Sequence, residues 1–84
     1  MKLPGEDFIS DGLADLRVGR ETIAALLVAI GAPRLRQLGI NVPVHGFDSP
    51  EHRLYRQLAD EDRAAAHSRY NALIRRLVSF ERAY

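Results

Sequence analysis

The sequence predicts an all-α protein: a small helical bundle with two long amphipathic helices and two short ones, in a single domain over residues 1–84. Three observations carry that expectation. Ile9, Leu16, Ile23 and Ile30 recur every seven residues in the first half of the chain. Ala66, Tyr70, Leu73, Leu77, Phe80 and Tyr84 step by alternating fours and threes in the last quarter. Such spacings hold apolar side chains on one face of a helix and suit side-by-side packing of long helices. Between the two ladders lie Gly31, Pro33, Gly39, Pro43, Gly46 and Pro50, the residue types that punctuate helices.

The first long helix is expected over residues 8–30. Projected at 100° per residue, Ile9, Leu13, Leu16, Ile23, Leu27 and Ile30 share one side, and Asp11, Asp15 and Glu21 fall on the other. Gly12 and Gly19 lie on the apolar side, in line with Leu26. A glycine inside a helix costs about 1 kcal/mol relative to alanine, which makes Gly19 one candidate end. The seven-residue phase runs unbroken across it, however, and favours a continuous helix whose glycines admit a close neighbour.

Gly31-Ala32-Pro33 reads as a stop, with glycine available for the left-handed position and proline unable to continue the ladder. Proline also fits the first position of a helix. Residues 33–38 therefore form a short helical piece with Leu35 and Leu38 inward, Arg34 and Arg36 outward, and Gly39 closing it. Residues 41–48 show no consistent period and read as a loop. Ser49-Pro50-Glu51 is a helix start, with serine capping, proline at the first position and glutamate facing the positive end. The helix over 50–59 turns Leu54, Tyr55 and Leu58 inward. Asp60-Glu61-Asp62 then opens the second long helix, residues 61–83, whose outer face shows Ser68, Asn71, Arg75, Ser79 and Arg82. Short connections favour an up-and-down bundle closed by packing of the long helices.

An apolar fraction of 46%, regularly placed, argues against disorder. The absence of cysteine removes disulfides and thiolate metal sites as supplements to the core. A core this small is marginal, and oligomerisation is a common remedy. The start turns acidic where the apolar stretch of a secretion signal would begin, and the longest apolar run, Ile23 to Ile30, is too short to cross a bilayer. A cytoplasmic protein without a membrane partner is expected. The net charge of +1 conceals a polarity: residues 1–33 carry three basic and five acidic groups, whereas residues 63–84 carry five arginines and Glu81 alone.

No recognisable reaction chemistry accompanies these ladders. His45, Asp48, Glu51 and His52 crowd around the loop and the helix start, but no two histidines share the one-turn spacing of a helical zinc pair, so they read as solvation and capping residues. His67 borders the apolar stripe as a packing residue, and Ser10, Ser49, Ser68 and Ser79 read as cap or surface residues. No nucleophile with an orienting partner and no phosphate-cradling glycine loop is present. No catalytic, cofactor or metal residue is assigned, and the chain reads as a non-enzyme.

Contact with another macromolecule is the expected business of this chain. Tyr70, Leu73, Leu77 and Phe80 form the candidate protein interface, with Arg69 and Arg76 at its rim, since aromatic and arginine residues are the usual anchors of interfaces. An acidic first helix and a basic last one suit intersubunit pairing. The leading expectation is a homodimer or the small regulatory subunit of a complex, antitoxin-like or adaptor-like in role. An alternative is a nucleic-acid-binding regulator contacting phosphates through Arg75 and Arg82, helped by Arg69 and Arg76. The low net charge and the acids at 60–62 weigh against that. A third reading is an accessory subunit of an enzyme.

Overall fold

A computed structural model describes residues 3–44 and 46–84. The chain forms four helices, α1 (Glu6–Arg17), α2 (Ile23–Gln37), α3 (Pro50–Glu61) and α4 (Ala66–Ala83), with no strand among the described residues. The all-α bundle expected from the two ladders is the observed architecture. Its helix boundaries differ at three places, each for a local reason.

The first is Gly19, which ends α1 rather than lying within it. It takes φ +73°, a left-handed conformation that glycine alone adopts without steric cost. The Gly19 N–H donates to the Leu16 carbonyl at 3.1 Å and the Arg20 N–H to the Asp15 carbonyl at 2.9 Å. These two bonds are the Schellman pattern that satisfies the last carbonyls of a helix. The chain then restarts at Thr22. Its hydroxyl oxygen accepts from the Ala25 N–H at 3.1 Å, and the same hydroxyl donates to Asp15 Oδ2 at 2.7 Å. One side chain thus caps α2 and ties it to α1.

The second is Gly31-Ala32-Pro33, which does not stop the helix. α2 runs through it to Gln37. Pro33 sits on the exposed side, where its missing N–H removes one ladder bond, while the continuing turn buries Ala32 and Leu35. Gly31 is buried against Leu77 of α4: a Cβ on it would come within 2.8 Å of a Leu77 methyl. The stop comes at Gly39, as expected, by the same Schellman bonds as at Gly19. Gly39 N–H donates to the Arg36 carbonyl and Ile40 N–H to the Leu35 carbonyl, both at 3.0 Å.

The third is the acidic run 60–62, which ends α3 instead of opening α4. Asp62 turns the chain, its Oδ1 accepting from the Ala65 N–H at 3.3 Å, and α4 starts at Ala66. Ser49, expected to cap α3 through its hydroxyl, sits at φ +48° and makes no side-chain cap bond. Tyr55 is 40% exposed rather than inward, although its ring meets Tyr70 at 5.8 Å between centroids.

The core forms around α2, which packs against α1, α3 and α4. Ala25, Leu26, Leu27, Val28, Ala32 and Leu35 of α2 pack with Ile9 and Leu16 of α1, Leu54 and Leu58 of α3, and Ala66, Leu77 and Phe80 of α4. Gly12 lets α1 approach closely: a Cβ there would overlap the Ala24 carbonyl and a Val28 methyl. Residues 40–44 are pinned by buried Val42 and by Arg36, which donates to the Val42 and Pro43 carbonyls at 3.3 and 3.4 Å. Among the described residues, α1 and α4 share no extensive contact, so the bundle is closed through α2 rather than by the terminal helices.

Candidate protein interaction groove

Because α1 and α4 both lie on α2 without packing along each other, an open groove of about 910 Å³ separates them. Phe8, Asp11, Ala14 and Asp15 of α1 make one wall, and Arg69, Ala72, Leu73 and Arg76 of α4 make the other. Ile23 and Ala24, the first residues of α2, contribute the floor, and Gln57 and Glu61 of α3 stand at one end. At the other end the Arg76 guanidinium lies 5.4 Å from the centre of the Phe8 ring, a cation–π contact that bridges the walls.

The walls have opposite charge. Asp11 and Asp15 stand on α1, Arg69 and Arg76 on α4. Arg69 is paired with Glu61 at 3.0 Å, and the neighbouring Arg53 with Glu21 at 2.9 Å. These exposed pairs contribute little to stability and act chiefly to hold side chains in place. Burial and the Glu51 carboxylate raise the Tyr70 hydroxyl above its ordinary value. Burial also raises the Glu81 carboxyl, while the nearby Arg34 guanidinium works in the opposite sense. Neither group lines the groove.

The residues expected at an interface divide by depth. Leu77 and Phe80 are 4% and 5% exposed and belong to the core of the chain itself. Tyr70 is half-buried at its edge. Leu73, Arg69 and Arg76 line the groove. Arg75 and Arg82 stand on the exposed outer face of α4. Phe8, Asp11, Asp15 and Ala72 complete the groove and escaped the sequence reading. The polarity between the chain ends was their one sequence signal, and it did not say that the two ends meet. Of the residues read as polar capping groups, His45 lies outside the described residues, and His52 faces Arg56 at 3.4 Å. Among the described residues no three histidine, aspartate or glutamate side chains form a group suited to a metal ion. Among the described residues no helix is long and apolar enough to cross a membrane.

The chain matches no family model, no curated protein and no solved structure.

Proposed function

We propose that this chain is a non-enzymatic helical interaction protein, self-associating or serving as the small regulatory subunit of a complex, that receives a macromolecule along the α1–α4 groove. The observation that supports this reading most is the incomplete cover of α4. Ala72 is exposed and Leu73 only partly buried beside a groove whose floor is apolar and whose rim is charged. An apolar centre with a polar rim is the usual anatomy of an interaction surface. The groove is open, with Asp11 and Asp15 on one wall and Arg69 and Arg76 on the other. A cytoplasmic setting suits a chain of this composition.

A photo-crosslinking residue at Ala72 tests the reading in cells that express the native chain. Cross-linking to a second macromolecule, the chain itself included, supports it when the same probe at Gln37, outside the groove, captures nothing. Absence of any cross-link at Ala72 overturns it. The second reading, a nucleic-acid regulator, draws on Arg75 and Arg82, which are exposed on α4. Duplex binding that steepens as salt falls and is lost on Arg75→Glu with Arg82→Glu would favour it.

A further inference from the structure

We infer that a second copy of this chain closes the groove, with the acidic side of α1 in each protomer laid along the outward face of α4 in the other, around a two-fold axis. This rests on the groove being an interaction surface and names its occupant.

The outward face of α4 is built for a neighbouring helix. Ser68, Ala72, Ser79 and Ala83 are all exposed and, at 100° per residue, share a narrow arc. Small side chains permit a short interaxial distance. Arginines border that strip on both edges, Arg75 and Arg82 on one and Arg69 and Arg76 on the other. Arg75 and Arg82 have no ion-pair partner among the described residues. A surface of this kind fits an acidic helix.

The chain itself carries one. Asp7, Asp11 and Asp15 follow one another at one-turn intervals along α1, with Ser10 and Ala14 exposed beside them. Asp15 is engaged within the chain, by the Thr22 hydroxyl at 2.7 Å and the Arg20 guanidinium at 3.9 Å, and Asp11 stands exposed in the middle of the row. Asp7 to Asp15 spans about 12 Å and Arg75 to Arg82 about 10 Å at ~1.5 Å per residue, so the two rows match in length.

The placement of the two rows selects the second copy. An interface around a two-fold axis uses one patch on both partners, and that patch must hold both complementary halves. Here the acidic half, with Asp11 and Asp15, and one edge of the basic half, Arg69 and Arg76, flank a single groove, while Arg75 and Arg82 border the α4 strip on its far side. An axis through the groove sets each α1 against the partner's α4 and turns the two apolar floors, Ile23 and Ala24, with Leu73 on the wall beside them, toward one another. Pairing α4 with its own copy would oppose arginine to arginine. A nucleic acid would meet the arginines but be repelled by the carboxylates beside them.

Light scattering of the full chain at high micromolar concentration, in low and high salt, reads the outcome. The expected result is a dimer whose fraction falls as salt rises. Arg75→Glu with Arg82→Glu, and separately Asp7→Arg with Asp11→Arg, should each weaken self-association by about tenfold or more while circular dichroism stays helical. An equimolar mixture of the two variants should recover the dimer, because each opposite-charge contact is rebuilt between them. A wild-type chain that stays monomeric in low salt overturns the inference, as does a dimer indifferent to both reversals. Should either variant misfold, the salt response of the wild-type dimer decides alone. A monomer that still cross-links another protein through Ala72 removes the second copy and leaves the interaction reading standing. A monomer that binds duplex DNA through Arg75 and Arg82 removes both.

Discussion

α2 and α4 are the two longest helices, and the chain uses them in opposite ways. In α2 every residue from Ala25 to Ala29 is buried, together with Gly31, Ala32 and Leu35, so α2 offers another molecule chiefly Ile23 and Ala24 at its start, on the groove floor. α4 is three residues longer, yet only Ala66, Leu77 and Phe80 are buried. A helix that is apolar on all sides belongs in the interior, whereas one with a single stripe keeps an outer surface. Stability is therefore concentrated in α2, and the capacity for contact in α4.

Substitutions sharpen or break that contrast. The largest difference is expected between Leu26 and Leu73. Leu26 is fully enclosed, and Leu26→Ala should lower unfolding free energy by about 2–5 kcal/mol. Leu73 borders the groove, and Leu73→Ala should cost less than half as much in the same denaturant titration. The titration is run at a dilution that keeps the chain monomeric, and equal losses there would mean that Leu73 is enclosed within the single chain. Next in size is Gly12→Ala, where the added methyl meets the Ala24 carbonyl and must displace α1. A loss of about 1–3 kcal/mol is expected, against roughly 0.5 kcal/mol or less for Ala72→Ser on the open face.

Thr22→Val removes the cap of α2 and the hydroxyl bond to Asp15 while keeping the side-chain shape. Thermal melts should report a loss of about 0.5–2 kcal/mol, and an unchanged melting point would deny this residue its linking role. The smallest effect belongs to Glu81. Its folded pKa lies above the ordinary value, so its favourable contribution is present when it is protonated and is lost as pH rises through the folded value. Glu81→Gln should flatten that shallow decline and change stability at neutral pH by no more than about 0.5 kcal/mol, since the site is only partly buried. A steeper pH response in the variant would contradict the assignment.

Much of the fold was legible because apolar spacing records which side of a helix faces inward. Ile9, Leu16, Leu27, Leu35, Leu54 and Leu58 were all expected inward, and all are buried. Gly39 was expected to end a helix and does so. The seven-residue phase misled at Gly19 because Leu16 and Ile23 keep their spacing whether the chain continues straight or turns between them. Gly31 misled in the reverse sense. Its helix persists because the turn beyond it buries Ala32 and Leu35, a return that local composition does not disclose. The groove was half legible: Leu73, Arg69 and Arg76 were singled out, but Leu77 and Phe80 looked identical to them in period and lie deeper.

Helix content, the inward faces, the closing role of Gly39 and the charge polarity between the chain ends were determined by the sequence alone, since each depends on residues within a few turns of one another. Only the tertiary structure decided which apolar stripe is fully covered, that Gly12 and Gly31 mark close approaches, and that the acidic and basic helices stand on either side of one groove. Those outcomes depend on which distant surfaces meet, and α2, by occupying the centre, holds α1 and α4 apart.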